Sequence, residues 1–501
     1  MKRPDLGVRT LLTQSSVHSP QHSSHVIVIG GGIAGLSTAY ALQEQARLAR
    51  VPLACTLIES RERLGGVILT ERVGDFVIEA GPDSLLTQKP WGLDLCQALG
   101  INDRLIGTND RQRRIYIFWG GRLHPLPQGL MLIVPTRFGP LLHSQLLSWP
   151  GKLRMGLEYF LPPRPPNGDE SLAGFVRRRL GREALEKIAD PLLAGIYAGS
   201  SDDMSLLATF PRLRELESTH GGLIRGALAQ RRAMRRAASS GSPPTTTMFM
   251  APRGGMAEIV DVLSSRLDRI VKRLGRTVQC VVPHGDGPAG PHGYAVHLDD
   301  ATSLYADMVV FATPAPITAS LIEGFHPRLA EALRTIPYVS SATVSLAYRR
   351  SDVSHPLDGF GFLVGKREGR RVMAATWTST KFAYRAPPDA VLIRSFIGGV
   401  GREELVGLDD AALIQLVREE LGAMLGITAT PLLARVYAWK RANPQYMVGH
   451  LERVDAMEQL LAPYPGLFLT GSAYRGVGVP DCIHQGVLTA ERIMAALTPV
   501  I

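Results

Sequence analysis

The sequence HVIVIGGGIAGLSTAYAL, residues 25–42, decides the fold of this 501-residue chain. Four consecutive β-branched apolar residues, Val26–Ile29, predict a strand over His25–Ile29, and the glycine cluster after it predicts a sharp turn. A helix is predicted over about Ala34–Ala49, and a second strand ends at Glu59. The chain therefore opens with a strand–helix–strand unit.

The glycine turn fits the pattern G-x-G-x-x-G and consists of Gly30, Gly31, Gly32, Ile33, Ala34 and Gly35. In this pattern Gly30 permits the tight turn, Gly32 lets the backbone approach a pyrophosphate, and Gly35 lets helix and strand pack closely. The pyrophosphate would lie at the helix N-terminus, where N–H groups and the helix dipole favour anions. Glu59 stands where an acid would bind ribose hydroxyls, which favours a dinucleotide site over a plain glycine turn.

The charged stretch Glu59–Gly66 indicates which dinucleotide the site binds. Its paired glycines, Gly65 and Gly66, follow a charged loop and resemble the second fingerprint of glutathione-reductase-like FAD proteins. A solvated loop explains the charges but not the paired glycines. The stretch therefore predicts that the nucleotide is FAD.

A third glycine-rich segment, Gly471–Cys482, lies between a short predicted strand, Leu467–Thr470, and a closing helix, Asp481–Leu497. Pro480 and Asp481 suit the first turn of a helix. Glycines there let the backbone touch a flat ring, and the helix N-terminus can stabilise negative charge on a reduced flavin. The alternative is a flexible lead-in to a C-terminal helix.

The bulk composition excludes several classes. Hydrophobic residues make up 45% of the chain, which is too many for a disordered protein. The four cysteines are far apart, so they predict reduced thiols and neither a redox nor a metal site. The net charge of +10 is spread along the chain with few aromatics, which argues against nucleic acid and suits an anionic membrane surface or a polycarboxylate ligand. No apolar run reaches the roughly 18 residues of a spanning helix.

Local patterns predict four further elements. Alternating apolar residues predict a hairpin over Arg114–Pro127, and a strand is predicted around Arg276–Val282. The Pro-rich insert Pro162–Asn167 is predicted to be a loop, and the small-residue stretch Ser239–Thr247 is predicted to be a linker.

Together these motifs resemble the protoporphyrinogen oxidase family, including its bacterial relatives that oxidise coproporphyrinogen. The resemblance covers about residues 25–495. Besides the three segments above it rests on Glu79–Ser84, Gly195–Gly199 and Gly359–Val364. The segment Gly471–Cys482 is its most specific part, because amine oxidases usually differ there.

The resemblance implies a mixed α/β and α+β fold. A glutathione-reductase-like Rossmann domain for FAD would be joined to an amine-oxidase-like antiparallel-sheet substrate domain and a helical, membrane-facing insertion. The predicted FAD domain comprises residues 25–110, 250–315 and 440–501. The predicted substrate domain comprises residues 111–127, 216–249 and 316–439, the helical domain 128–215, and a disordered tail residues 1–24.

The resemblance also implies the site residues. Further FAD contacts would be Ser60, Arg63, Gly66, Val67, Gly81, Pro82, Asp83, Ser84, Val278, Gly471, Ser472, Val477, Gly478 and Val479. A substrate propionate would pair with Arg114, with Arg113 as the alternative register. Leu363 and Phe382 would form an apolar pocket, and the loop from Gly195 to Gly199 would lie along the macrocycle.

The implied reaction removes six hydrogens from a porphyrinogen, protoporphyrinogen IX in the first instance, by repeated hydride transfer to flavin N5 with oxygen as acceptor. No side chain is predicted to act as a nucleophile; the protein's task is placement and charge complement. His484 is a candidate proton partner, and a surface histidine is the alternative. Alternative functions are coproporphyrinogen III oxidation, another amine-oxidase-like desaturation, or redox-silent binding of FAD and tetrapyrrole.

The expected location is cytoplasmic, at the periphery of the cytoplasmic membrane. Apolar faces over Leu141–Leu147 and Met155–Leu161, flanked by Lys152 and Arg154, would lie on a bilayer, with ordinary helix core as the alternative. A ferrochelatase-type neighbour and a homodimer complete the expected partners.

Overall fold

The computed structural model describes residues 23–131, 133–165, 168–238, 247–287 and 290–498. Most of the predicted tail, residues 1–24, and of the predicted linker, Ser239–Thr247, lies outside the described residues. The first described strand begins at Ser24 and includes the predicted His25–Ile29.

A five-stranded parallel sheet forms the first layer. Its strands, in spatial order, are Ile270–Arg273, Leu53–Ile58, Ser24–Ile29, Met308–Phe311 and Leu467–Leu469. The central strand, Ser24–Ile29, is apolar and buried from Val26 onward, as expected for a strand with helices on both faces of the sheet. The predicted strand–helix–strand unit is confirmed, with its helix at Ile33–Ala49.

Helices cover the two faces of this sheet and form two cores. One face carries Ile33–Ala49, Trp91–Leu99, Ala257–Arg266 and Val479–Leu497. The other carries Ala315–Ile322, Pro327–Arg334 and His450–Leu461. The second core therefore includes side chains from residues 316–336, which the sequence analysis assigned to the substrate domain. The domain boundaries remain a prediction.

A seven-stranded sheet forms the second layer. Its strands, in spatial order, are Leu433–Pro444, Tyr338–Arg349, Ala390–Gly398, Val372–Trp377, Gly361–Val364, Ile115–Trp119 and Arg122–Pro125. The predicted hairpin at Arg114–Pro127 forms the edge of this sheet. Five of the six pairings are antiparallel, whereas Gly361–Val364 pairs in parallel with Ile115–Trp119. These two strands are over two hundred residues apart, so no tight turn dictates their direction.

A helical region packs beside the second sheet around its own core. Its helices are Phe138–His143, Trp149–Gly156, Leu157–Phe160, Leu172–Arg179, Arg182–Ala184, Leu185–Ala189, Asp190–Tyr197, Leu206–Thr209, Pro211–His220 and Leu223–Ala238. The core includes Leu216, Leu223 and Ala227, so the region continues beyond the predicted end at residue 215. The predicted insert Pro162–Asn167 is described only to residue 165, and that part is irregular.

The remaining strands form small sheets. The predicted strand at Arg276–Val282 is observed as Val278–Gly287 and belongs to an antiparallel meander with Gly290–Leu298 and Ser303–Ala306. The other small sheets pair Thr70–Val73 with Phe76–Glu79, Leu130–Met131 with Val134–Pro135, and Phe249–Pro252 with Leu85–Leu86 and Leu105–Gly107. Short helices lie at Thr378–Lys381, Asn102–Arg104, Asp110–Gln112, Arg350–Asp352, Lys366–Glu368 and Glu403–Gly407, and a longer one at Asp410–Leu425.

Within the described ranges, no helix combines the length and the apolar character that crossing a bilayer requires.

The closing helix Val479–Leu497 crosses the helix Ile33–Ala49 at Gly486. A Cβ atom built on Gly486 would lie 2.6 Å from the carbonyl oxygen of Ala34 and 3.0 Å from the amide nitrogen of Thr38. Two backbones thus touch where any side chain would push them apart.

We expect Gly486→Ala to lower the free energy of unfolding by about 1–3 kcal/mol, the usual cost of overpacking. Denaturant unfolding followed by circular dichroism measures the effect. Gly139→Ala is the matched control, because a Cβ atom at this helical glycine meets no heavy atom within 4 Å. Equal stability of the two variants would contradict the tight crossing.

Candidate functional site

The glycine turn has the close contacts that its spacing predicts. Gly30 has φ +109°, and a Cβ atom there would lie 2.7 Å from the carbonyl oxygen of Ala312 on the neighbouring strand. A Cβ atom on Gly35 would lie 2.0 Å from the carbonyl oxygen of Gly30. A Cβ atom on Gly32 would meet nothing within 4 Å. Gly32 is therefore the member of the motif that faces open space, where a ligand can approach the backbone.

The helix Ile33–Ala49 begins at this open position. Gly32 is its N-cap residue, no side chain caps the helix, and its first turn carries no acidic residue. The first-turn N–H groups and the positive end of the helix dipole thus meet no anionic side chain of the helix itself. This arrangement fits the pyrophosphate of FAD.

Glu59 ties the second fingerprint to the first. Its Oε2 accepts a hydrogen bond of 2.7 Å from the Gly31 amide, and Oε1 accepts bonds from the Arg61 amide and the Ser60 hydroxyl. The Gly65 amide donates to the carbonyl oxygen of Gly31 at 2.8 Å. The two motifs therefore form one hydrogen-bonded unit.

Arg63 holds the loop of the second fingerprint from within. Its guanidinium donates to the carbonyl oxygens of Gly66 at 2.7 Å and of Leu64 and Ile68 at 3.3 Å each. Burial, followed by the neighbouring charge of Arg61, lowers the pKa of Arg63. Arg63 thus supports the backbone of the loop, while Val67 beside it is 43% exposed.

The segment from Gly81 to Ser84 packs directly on this loop. A Cβ atom on Gly81 would lie 1.9 Å from the carbonyl oxygen of Val67. Asp83 accepts a 2.8 Å hydrogen bond from Lys381 Nζ and one of 2.7 Å from the Ser84 hydroxyl. Burial raises the pKa of Asp83, but the charges of Lys381 and Arg394 and these hydrogen bonds outweigh burial and hold that pKa well below its usual range.

Lys381 and Arg394 are site residues that sequence reasoning missed. Arg394 is 4% exposed and donates to the carbonyl oxygens of Ala80 and Gly81. The partners of both cations lie some 300 residues earlier in the chain, so spacing could not reveal the pairs. One signal was present: Arg394 interrupts the strongly apolar strand Ala390–Gly398, and a buried cation requires a partner.

The third segment closes the other side of the site. Gly471 lies beside the first motif, since a Cβ atom on it would be 3.7 Å from the Ala34 Cβ. Gly478 is the N-cap of the closing helix, and its amide donates to Asp481 Oδ2 at 3.2 Å. Lys89 Nζ forms an ion pair with the same carboxylate at 2.6 Å.

Val278 lies on the opposite flank of the nucleotide turn. It begins the meander strand Val278–Gly287 and is 7% exposed. The Arg276 amide, two residues earlier, donates to the carbonyl oxygen of Glu59. The structure thus brings the three glycine segments, Gly81–Ser84 and the approach to Val278 into one neighbourhood.

The predicted substrate residues fall at separate places. Arg114 is exposed, and its guanidinium donates to Asp358 Oδ2 at 2.6 Å, while the Tyr116 hydroxyl donates to Oδ1 at 2.8 Å. A hydrogen bond to Tyr116 raises the pKa of Arg114 above its ordinary value, and the charges of Tyr116 and Asp358 raise it further. Phe382 is 1% exposed and lies in the core beside the parallel sheet, with the Lys381 ammonium 5.2 Å from its ring centre.

Gly195 and Leu363 do come together. A Cβ atom on Gly195 would lie 2.8 Å from Leu363 Cδ2, so the end of the helix Asp190–Tyr197 sits on the strand Gly361–Val364. Gly199 follows in the same turn and is held against Gln445, whose Oε1 would lie 2.4 Å from its Cβ.

The adjoining residues Gln445 and Tyr446 connect this turn to the segment Gly471–Cys482, named the flavin-side segment for its predicted flavin contacts, through hydrogen bonds to the carbonyl oxygens of Tyr197 and Ser472. Burial raises the pKa of Tyr197 well above its usual range, and the charge of Asp481 raises it further. Asp481 belongs to the first turn of the closing helix, so the turn Gly195–Gly199 lies within electrostatic reach of that helix start. His484, one helical turn further on, stacks on Trp91 with ring centres 4.0 Å apart.

Among the residues that the structure describes, no three His, Cys, Asp or Glu side chains are grouped as metal ligands.

We expect Glu59→Ala to weaken FAD binding about ten- to a hundredfold, because hydrogen bonds to a charged group contribute about 1.5–3 kcal/mol. Titration of apoprotein with FAD, followed by quenching of flavin fluorescence, measures the affinity. Glu44→Ala is the control, since Glu44 pairs with Arg47 on the surface of the helix Ile33–Ala49, away from the glycine turn. Unchanged affinity of the Glu59 variant would remove Glu59 from the nucleotide site.

Comparison with known proteins agrees with this geometry. Residues 33–494 match the family described as flavin containing amine oxidoreductase. The chain is 33% identical over 92% of its length to a coproporphyrinogen III oxidase of Bacillus subtilis, covering 96% of that protein, and 30% identical over 95% to a chloroplastic protoporphyrinogen oxidase of Oryza sativa, covering 89%.

A solved structure from Exiguobacterium sp. 255-15, provisionally named protoporphyrinogen oxidase, superposes with a TM-score of 0.82 at 32% identity, covering 95% of this chain and 99% of that one. The open glycine turn at the helix start and the Glu59 carboxylate beside it fit FAD as the flavin of this family. The predicted oxidoreductase class is confirmed: the chain belongs to the flavin containing amine oxidoreductase family.

Proposed function

We propose that this FAD enzyme oxidises a porphyrinogen to the porphyrin in tetrapyrrole biosynthesis, with oxygen as the acceptor. The observation that carries the proposal is that two adjoining buried residues hold the two predicted halves of the site: Gln445 donates to the Tyr197 carbonyl oxygen in the turn Gly195–Gly199, and the Tyr446 hydroxyl donates to the Ser472 carbonyl oxygen in the segment Gly471–Cys482. A substrate resting on that turn would lie beside the segment expected to hold the flavin. Relatives that match almost the whole chain are named for this chemistry.

The chain's own residues supply placement. Bound FAD supplies a two-electron acceptor for carbon–hydrogen bonds. The Gly195–Leu363 contact offers a surface of low polarity to a flat ring, and Gly195 itself is exposed. The start of the closing helix, with its N-cap at Gly478, directs a positive dipole toward the flavin side, which favours negative charge there.

The direct experiment incubates the purified holoenzyme with protoporphyrinogen IX and, separately, with coproporphyrinogen III. We expect porphyrin fluorescence to rise with at least one of them in air and to stop after less than one turnover without oxygen. Enzyme stripped of FAD is the control. An FAD-loaded enzyme that forms neither porphyrin would overturn the proposal, and full turnover without oxygen would overturn the acceptor.

Coproporphyrinogen III is the second candidate substrate, and one observation favours it. Four bacterial relatives named coproporphyrinogen III oxidase are 31–35% identical to this chain, whereas four chloroplastic relatives named protoporphyrinogen oxidase are 28–30% identical. The two substrates differ in propionate number, so the ratio of their kcat/KM values decides between them.

The Arg114–Asp358 pair gives a sharper test of propionate binding. Asp358 already occupies the Arg114 guanidinium and competes with a substrate carboxylate. We expect Arg114→Gln to raise KM about three- to thirtyfold and Asp358→Asn to lower KM, with FAD content unchanged in both; charge-assisted hydrogen bonds set this range.

Arg113→Gln is the matched control for the Arg114 experiment, because Arg113 is equally exposed and stands at the alternative register. A rise of KM in the Arg113 variant alone would move the substrate arginine by one position. A loss of bound FAD in the Arg114 variant would contradict the role proposed for Arg114.

We further propose that the helical region rests on an anionic membrane surface. Its exposed apolar side chains form an apolar ridge, defined here as Phe138, Leu142, Trp149, Leu153, Leu157 and Phe160. Trp149, Leu153 and Leu157 recur at intervals of four residues, which places them on one side of the helix. Leu153 is 68% exposed and Phe160 is 74% exposed. Exposed apolar patches of this kind are typical of protein–protein and membrane interaction sites.

Parts of the predicted apolar faces were wrong. Leu141, Leu146, Leu147 and Met155 are buried in the core of the helical region. Lys152 is also buried, and its Nζ donates to the carbonyl oxygen of Leu142. Arg154 donates to the carbonyl oxygens of Arg178 and Arg179. Each of these cations thus satisfies backbone carbonyls inside the protein.

The basic flank of the apolar ridge comes instead from the helix Leu223–Ala238. Arg225 lies over the ring of Tyr159 at 5.0 Å, and Arg231 donates to the carbonyl oxygen of Thr136. Both contacts set this arginine-rich helix beside the ridge. Cations next to exposed aromatic and aliphatic side chains favour anionic lipid headgroups.

We expect the holoenzyme to sediment with vesicles containing phosphatidylglycerol and much less with pure phosphatidylcholine vesicles. The combined variant Trp149→Ser, Leu153→Gln, Phe160→Ser should lose at least about tenfold in partitioning, because each buried apolar side chain contributes about 1.5–3 kcal/mol. Leu488→Gln, at an exposed leucine of the closing helix, is the control. Partitioning that is absent in the unmodified enzyme at low salt would overturn the membrane proposal.

A further inference from the structure

We propose that the segment Gln445–His450 is a positioning element that fixes the turn Gly195–Gly199, named here the substrate-side turn, relative to the flavin-side segment Gly471–Cys482. Gln445 holds the substrate-side turn, and Tyr446 holds the flavin-side segment. This inference rests on the proposed function and deepens it. Each side chain acts through backbone groups of another segment, so both are positioning residues. The argument starts from Tyr446.

Tyr446 clasps the flavin-side segment at two points. Its hydroxyl donates to the carbonyl oxygen of Ser472 at 2.7 Å and accepts from the amide of Gly476 at 2.8 Å. The side chain is 1% exposed, and burial raises its pKa well above the usual range, so the hydroxyl keeps the proton that it donates. One buried hydroxyl thus ties together two ends of the loop that precedes Val477 and Gly478.

His450 supports the Tyr446 ring. The two rings are stacked with centres 3.9 Å apart, and His450 Nε2 lies 2.8 Å from the carbonyl oxygen of Tyr474. A carbonyl oxygen only accepts, so Nε2 carries a proton. Burial lowers the pKa of His450 to about 4, which leaves the ring neutral at physiological pH. His450 therefore adds a third contact to the same flavin-side loop.

Gln445 holds the substrate-side turn from the adjoining position. Its Nε2 donates to the carbonyl oxygen of Tyr197 at 3.0 Å, and the side chain is 2% exposed. The next residue of the turn, Ala198, has φ +51°, which is uncommon for a residue with a Cβ atom. The Ala198 carbonyl oxygen accepts from the Val400 amide. The turn is thus held in a strained conformation by two separate elements.

The segment itself is anchored by backbone hydrogen bonds to the large sheet and to the helical region. The Gln445 amide donates to the carbonyl oxygen of Pro337, which leads into the large sheet. The carbonyl oxygen of Tyr446 accepts from the Ser205 amide at 2.7 Å, and the Val448 amide donates to the carbonyl oxygen of Asp203. The substrate-side turn and the flavin-side segment are thus both held by Gln445–His450. A movement of either one relative to this segment would change the distance between a substrate on the turn and the flavin.

The experiment separates the two roles. Tyr446→Phe keeps the stacked ring and removes the hydroxyl, and Gln445→Leu keeps the volume and removes the amide. For each holoenzyme we would measure the dissociation constant of sulfite, read from bleaching of the flavin absorbance, together with KM and kcat for the porphyrinogen that the unmodified enzyme oxidises. Tyr294→Phe is the matched control, since it removes a buried hydroxyl that donates to the carbonyl oxygen of Pro465, outside this site.

We expect Tyr446→Phe to weaken sulfite binding about three- to tenfold at unchanged KM, the range that follows from net hydrogen-bond strengths. We expect Gln445→Leu to raise KM by a similar factor at unchanged sulfite affinity. Tyr294→Phe should lower the unfolding temperature without moving either value. An unchanged sulfite affinity in Tyr446→Phe would overturn the role proposed for Tyr446. An unchanged KM in Gln445→Leu would overturn the role proposed for Gln445.

A second variant covers the case in which Tyr446→Phe does not retain FAD. His450→Gln removes the stacked ring and leaves the Tyr446 hydroxyl, and it should also weaken sulfite binding. An unchanged sulfite affinity there would overturn the support proposed for His450. The sulfite measurement needs no porphyrinogen, so failure of the proposed function and failure of the positioning role of Tyr446 are read from different data.

Discussion

The contact on which the rest of the structure depends is the crossing of two helices at backbone distance. The closing helix meets the nucleotide helix at Gly486, against the carbonyl oxygen of Ala34. That contact places Gly471 beside the glycine turn and directs the start of the closing helix into the same space. Two ends of a long chain thereby become opposite walls of one site, and neither end contains that site by itself.

Charge balance is the second constraint around this site. Asp83 lies between Lys381 and Arg394, while Glu79, 2% exposed, lies 3.9 Å from the guanidinium of Arg385. Burial raises the pKa of Glu79, and hydrogen bonds from Thr70 and the Met256 amide oppose that effect. Arg394 and Trp439, both on the second sheet, fix this backbone: Arg394 donates to the carbonyl oxygens of Ala80 and Gly81, and Trp439 donates to that of Ala80. The large sheet therefore supports the cofactor side as well as the substrate side.

Sequence alone predicted the elements whose signals are local. The turn at Gly30–Gly35, the acid at Glu59 and the closing segment each carry their own spacing, and the structure assembles them. It could not predict pairs that depend on the tertiary fold: Lys381 with Asp83, or Tyr446 with Ser472. It also misjudged Lys152 and Met155, because helical periodicity tells which residues share a face and not which face is covered. The parallel pairing of Gly361–Val364 with Ile115–Trp119 could not be predicted either, because two strands so far apart in sequence leave no local pattern that shows their pairing.

The order of strands in the parallel sheet has a consequence for biosynthesis. The strand Met308–Phe311 has Leu467–Leu469 as its outer neighbour, which follows about 150 residues later. A ribosome adding about 5–20 residues per second needs roughly ten to thirty seconds to reach it. Through that interval the nascent chain presents an unpaired sheet edge and half a nucleotide pocket. Cofactor capture must therefore follow synthesis, and the nascent sheet edge is where a chaperone would be needed.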